Sequence, residues 1–400
     1  MSKSNSLKAL CSLRFFAAVL VVLAHFRYTF WPANIFGPFD DFAPIVSFFF
    51  MLSGFTLTYS GSSSLSVHPL SFLLKRIGRI WPSHVLMVIL IFLLLPGNVE
   101  QHMALSHPWE ILTANILLIH AWVPVQDYFF AYNTPSWYLS TQLAMYLLFP
   151  WLIRNFNKNW PYKLALCLLS VLACLGLASS LELFNPHQIS GQGLLYISPL
   201  CRLLEFVVGM TGGLVFTPLS SKYTRNYALG TLLECLALLI AIGAMAMAQP
   251  LSAGFNNVPF LGKELGFYVG FAGITLIPFF VLIQVFALER GALSRMLSLP
   301  LFYRLGTVSF SLYLLHIPLL QYYLYPIALK PNIPIPSTER ILTYWGILLL
   351  AAFITERFFE KPVYQGFSAL TRKITRKQTL DNTPDQPTPI YNPHVKADLS

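Results

Sequence analysis

Stretches of about twenty apolar residues recur through most of this chain, and each is long enough to cross the hydrocarbon core of a bilayer. A bilayer interior offers the backbone no water, so such a segment must satisfy its own hydrogen bonds as a helix. The runs lack the strict alternation of a spanning β-strand. With 56% hydrophobic residues, 10% charged residues and a mean hydropathy of +0.61, the composition is not that of a soluble domain. The fold class expected is therefore an all-α integral membrane bundle of about ten transmembrane helices. The candidate spans are 13–31, 43–60, 80–96, 136–153, 162–181, 195–216, 227–248, 265–288, 305–328 and 339–358. A further apolar piece, Trp109 to Val123, is short for a span and fits a re-entrant or interfacial helix.

The basic residues decide the count. With ten spans and a cytoplasmic N-terminus, 20 of the 26 Lys and Arg fall inside, 4 outside (Arg27, Lys263, Lys330, Arg340) and 2 within spans (Arg14, Arg202). An eleventh span at 109–123 would reverse every later loop and spoil that asymmetry. Both termini are thus expected in the cytoplasm. The net charge of +10 reflects this loop bias and does not indicate nucleic acid. Residues 1–371 read as one polytopic membrane domain. From residue 372 the chain turns polar and proline-bearing (Pro384, Pro387, Pro389, Pro393), a composition expected to be disordered. The first apolar run is long and carries internal Arg and His, so it reads as a retained span and not as a signal peptide. Cys11, Cys167, Cys174, Cys201 and Cys235 lie in or beside apolar runs without metal-ligand spacing, and packing is the role expected of them. No metal site is expected.

Arg14 and His25 stand inside the first apolar run. Ionisable groups within a span are costly and tend to mark working sites. Eleven residues make about three helical turns, so both side chains share a face roughly 16 Å apart along the axis. If Arg14 lies near one surface, His25 lies near the midplane, where an imidazole can accept a proton. The alternative is a histidine satisfied by a neighbouring helix and an arginine serving as a topology anchor.

Other polar groups fall at a similar depth. His25 and His316 are each about 16–18 Å in from the cytoplasmic side, and Gln142 and Arg202 enter from the outer side. One enclosed polar chamber is the reading this suggests; separate pairing with nearby backbone is the other. Lys75, Arg76 and Arg79 form a basic cluster before the third span. Arg76 and Arg79, three apart, project to one side of a helix and can fork onto phosphates. A juxtamembrane topology or headgroup contact is the alternative. Ser53-Gly54-Phe55 places small residues inside the second span, where close helix packing is expected.

Taken in order, these pieces resemble the acyltransferase-3 family of membrane acyltransferases over about residues 8–365. The resemblance is carried by Arg14-x10-His25, by FFFMLSGF around Phe49 to Phe55, by Arg76-x2-Arg79 with Pro82, and by TPSWYLSTQLAMYLLFP from Thr134 to Pro150. CRLLEFVVGM (Cys201 to Met210), SFSLYLLHIPL (Ser309 to Leu319) and FFEKPV (Phe358 to Val363) complete it. The resemblance implies ten spans in a bacterial inner membrane. It also implies transfer of an acyl group, commonly acetyl from acetyl-CoA, to a hydroxyl of a cell-surface glycan or glycolipid. O-antigen, capsule, exopolysaccharide and small glycosides all fit as acceptors, and the oligomeric state is left open. His25 would be central to catalysis; from their shared depth, and not from the resemblance, Arg202, His316 or Gln142 are the groups expected to steady the developing oxyanion. Arg76 and Arg79 would hold the CoA phosphates, with Lys75 beside them and Arg14 near the entrance. Two positions depart from the family's pattern: Gln142 stands where Glu is frequent, and Tyr138 where Ser is frequent.

Two rival readings accompany this one. A transporter or flippase of a lipid-linked saccharide would use the same Arg and His to line a path, and would show interrupted helices in matched halves. A catalytically weakened relative that only binds partners would have Gln142 as its mark.

Overall fold

The computed structural model describes residues 7–30, 43–61, 69–222, 226–255, 258–259, 262–324 and 338–381. Among these residues the chain is helical, with no strand and one isolated bridge between Val125 and Ile189. The long elements are α1 (Lys8–Phe30), α2 (Ile45–Gly61), α3 (Pro69–Leu94), α4 (Trp137–Leu152), α5 (Phe156–Ala178), α6 (Pro199–Lys222), α7 (Tyr227–Ala246), α8 (Gly262–Phe271), α9 (Leu276–Ala287), α10 (Pro300–Leu319), α11 (Thr338–Thr355) and α12 (Lys361–Asp381). Among the described residues six helices are long and apolar enough to cross a membrane, or seven if α8 and α9, bent by 43° at their junction, form one broken span. Helix α2 is apolar but shorter. Leucines such as Leu166, Leu169, Leu172, Leu232, Leu236 and Leu239 are exposed on α5 and α7. An apolar surface of this extent suits lipid and not water.

The region between α3 and α4 includes 109–123. It holds only short helices, Pro96–Met103, Pro108–Ile116 and Gln126–Phe129, too short to cross a bilayer. Two differences from the sequence expectation matter. Helix α3 begins at Pro69, not near residue 80, so Lys75, Arg76 and Arg79 lie within the helix itself. Helix α12 continues past residue 372 to Asp381, and the proline-bearing remainder, 382–400, lies outside the described residues.

Helices α2 and α6 pack most closely, and glycine is the reason. A methyl group at Gly54 would overlap the Phe206 carbonyl, and one at Gly209 would overlap the Met51 carbonyl. Gly209 and Gly213 are four apart on one face of α6, the spacing that lets membrane helices approach backbone to backbone. The packing role expected of Gly54 is what is found. Helix α1 lies along α10, α10 along α11, and α12 along α3, where the Phe367 ring occupies the space beside Gly78. These contacts bring the N-terminal halves of α1, α3 and α10 together at one end of the bundle.

Candidate active site

At that end the helices enclose a cavity of about 370 Å³. Arg14 reaches it from α1, and Ser53 and Thr56 from α2. Arg76 and Arg79 line it from α3, Gln142 and Tyr146 from α4, and Tyr303 and Tyr313 from α10. Each group arrives by helical periodicity. Arg76 and Arg79 are three apart on α3, and Tyr138, Gln142 and Tyr146 follow one another at single turns on α4. The lining includes three arginines and, among the described residues, no carboxylate. Among the described residues none of the three has an ion-pair partner. The Arg76 guanidinium rests over Phe72 at 5.3 Å and Tyr146 at 5.7 Å, and its Nε is buried without a hydrogen-bond partner. Aromatic faces steady a cation without neutralising it. The lining is therefore cationic, and the Glu360 carboxyl acts on Arg79 from outside it. Lys75, expected beside these arginines, is not part of the lining.

Gln142 is held at both ends of its amide. Tyr138 donates its hydroxyl to Oε1 at 3.2 Å, and Nε2 donates to Ser53 Oγ at 2.9 Å. Ser53 thus does more than pack.

His25 and His316 form a pair, with the Nδ1 of His25 3.1 Å from the Nε2 of His316. On the other side, His316 Nδ1 lies 2.5 Å from the Tyr313 carbonyl. A carbonyl only accepts, so Nδ1 of His316 carries the proton. Its Nε2 then accepts from Nδ1 of His25, and neutral His25 presents Nε2 as its basic nitrogen. The same Nδ1 also lies 3.1 Å from the Val21 carbonyl, which favours the same tautomer. Tyr344 donates to the His316 carbonyl at 3.0 Å and ties α11 to this corner. Neither histidine belongs to the cavity lining. Tyr313 connects the two places: it lines the cavity, and its ring lies 5.7 Å from that of His316.

Arg202 is elsewhere. It and Glu205, one turn apart on α6, are both 0% exposed and joined at 2.5 Å. Nε of Arg202 donates to the Tyr196 carbonyl at 2.6 Å, and Nη1 also to Ser47 Oγ at 3.2 Å. The four polar groups expected in one chamber therefore occupy three places. Gln142 is in the cavity, the histidines stand as a pair beside it, and Arg202 sits in an ion pair between α2 and α6.

Sequence reasoning passed over Tyr146, Tyr313 and Glu205. Glu205 had a signal, since a glutamate three residues after a buried arginine on a helix is a natural partner. The tyrosines had none, because an aromatic in a membrane span reads as packing. Also unforeseen is a buried polar contact between α3 and the region after it, where His84 Nε2 of α3 donates to the Asn115 carbonyl at 2.8 Å and Asn115 donates to the Ala131 carbonyl at 3.1 Å. Among the described residues no set of three or more His, Cys, Asp or Glu is grouped to hold a metal ion.

The fold and cavity define a helical membrane protein with an enclosed cationic pocket beside a histidine pair. The chain belongs to the acyltransferase-3 family, whose sequence model, described as an acyltransferase domain, matches residues 7–356. A curated relative, the acyltransferase MdmB of Streptomyces mycarofaciens, is 27% identical over 286 residues, 69% of this chain and 68% of that protein. No solved structure matches the chain. Acyl transfer is the class of chemistry that family membership supports, as the resemblance implied.

Proposed function

We propose that this chain is a multi-pass membrane O-acyltransferase that takes an acyl group, acetyl in the simplest case, from cytoplasmic acyl-CoA. It delivers that group to a hydroxyl of a cell-surface glycan or glycolipid at the bacterial inner membrane. The topology proposed is ten spans with both termini cytoplasmic, from the loop-charge asymmetry. That orientation opens the arginine-lined end of the bundle to the cytosol. The carrying observation is a cavity with three arginines and, among the described residues, no carboxylate, whose wall shares Tyr313 with the surroundings of a histidine pair.

The residues fit a polyphosphate donor. Arg76 Nε is buried and unpartnered, and guanidiniums bind phosphate oxygens in a fork geometry. Arg14, Arg76 and Arg79 would hold the phosphates of CoA. Bound there, acyl-CoA supplies an activated acyl carbon as a thioester. His25 Nε2 takes the proton of the acceptor hydroxyl as that oxygen attacks the thioester carbon, an effect of about 10²–10⁴-fold for a placed general base. The C–S bond then breaks, and the proton passes from His25 to the departing CoA thiolate. Free CoA and the ester leave a neutral imidazole behind. His316 and the Tyr313 carbonyl hold His25 in the basic tautomer. Gln142, fixed by Tyr138 and Ser53, has a second amide hydrogen to offer the developing oxyanion.

The test is acyl transfer by purified protein in proteoliposomes, with radiolabelled acetyl-CoA and a panel of lipid-linked saccharides. Wild type should label a saccharide, and His25→Ala should lose transfer by at least about 10²-fold while folding and donor binding persist. Full transfer by folded His25→Ala would defeat the base assignment. Movement of saccharide across the membrane with no use of acetyl-CoA would replace this reading with a transporter.

A further inference from the structure

The two positions that depart from the family's pattern are partners. Tyr138 and Gln142 lie one turn apart on α4, and the Tyr138 hydroxyl donates to Gln142 Oε1 at 3.2 Å. Gln142 is itself anchored on Ser53. The tyrosine is thus tethered at its tip as well as packed. Its ring belongs to a group of three: Phe49 and Tyr138 are 5.9 Å apart, Tyr138 and Tyr313 5.5 Å, and Phe49 and Tyr313 6.3 Å, centroid to centroid. All three line the cavity, and Tyr313, which the other two rings flank, lies 5.7 Å from the His316 ring. Tyr313 is fixed too, since its hydroxyl donates to the Pro135 carbonyl at 2.9 Å. A serine at 138 would leave a hollow at this wall.

We infer that Tyr138, held in place by Gln142, limits the length of acyl group the cavity admits, so that the donor is a short-chain acyl thioester. The inference rests on the donor reading above. A methylene entering apolar space gains about fourfold in affinity, whereas one that meets a tethered ring gains nothing and must displace it. Longer acyl groups should therefore weaken binding here, in place of the usual strengthening.

The experiment is calorimetric titration of the full-length protein in detergent with CoA, acetyl-CoA, butyryl-CoA and hexanoyl-CoA. Wild type should bind CoA and acetyl-CoA alike and lose affinity as the chain lengthens. In Tyr138→Ser, hexanoyl-CoA should gain at least about tenfold relative to acetyl-CoA, with CoA itself bound as before. Tyr138→Phe keeps the ring and loses the tether, and should fall between. General loosening of the fold would weaken all four ligands together and leave their ratios alone. If Tyr138→Ser does not fold, Tyr138→Leu provides the same comparison. Unchanged ratios in a variant that still binds CoA would overturn the inference. Failure of wild type to bind CoA would overturn the donor reading instead.

Discussion

Arg202 and Arg76 are both arginines inside an oily bundle, and both sit on aromatic faces. Arg202 lies over Tyr196 at 4.5 Å, and Arg76 over Phe72 at 5.3 Å. They differ in having a carboxylate. Arg202 is fully buried and tied to Glu205, Ser47 and a backbone carbonyl, in a region without a described cavity. Arg76 shares a cavity with two further arginines and, among the described residues, no acid in its lining. A charge cancelled within the fold holds helices together. A charge without a carboxylate partner beside a cavity is what the proposed donor site requires. Depth in the membrane does not separate the two cases; the partner does.

Removing the partner should break the first region most severely. Glu205→Ala strands a buried guanidinium and should cost about 3–5 kcal/mol, read as loss of monodisperse protein in size-exclusion chromatography. Replacing both members, Arg202→Met with Glu205→Leu, should restore the fold and keep acyl transfer, because a buried pair of this kind can be exchanged for apolar packing. A folded double variant without transfer would return Arg202 to the reaction. In the second region the reverse holds. Arg76→Ala should leave thermal stability close to wild type and weaken CoA binding by about 1.5–3 kcal/mol, the range for a charged hydrogen bond. Arg79→Ala should do the same to a smaller extent that shrinks further as salt is added, since Arg79 is exposed. Equal losses of stability in Arg76→Ala and Glu205→Ala would erase the distinction between the regions. The glycine contact between α2 and α6 gives a loss of stability alone, with no part in ligand binding. Gly209→Ala pushes a methyl against the Met51 carbonyl and should cost about 1–3 kcal/mol of stability without changing relative affinities for CoA and acetyl-CoA.

Much of the site was legible before the fold was known, and residue type explains which part. A charged or imidazole side chain in lipid is costly enough to stand out, so Arg14, His25, Arg76, Arg79 and His316 could be picked out singly. Gln142 could be placed because it occupies a position the family pattern marks. The pairing of His25 with His316 is consistent with their equal depth. Tyr146 and Tyr313 carried no signal, because their work is to touch several helices at once. Arg202 was selected for the same reason as Arg14, and nothing in its own span said that Glu205 and Ser47 would surround it.

The sequence by itself determined that the backbone must be helical and lipid-facing, because twenty apolar residues in a row leave no other way to satisfy their amides. It also determined where expensive polar groups lie along each helix. Only the tertiary structure decided which of them meet. Lateral proximity depends on how helices rotate and on how closely glycines such as Gly54 and Gly209 let them approach, and one-dimensional spacing contains neither quantity.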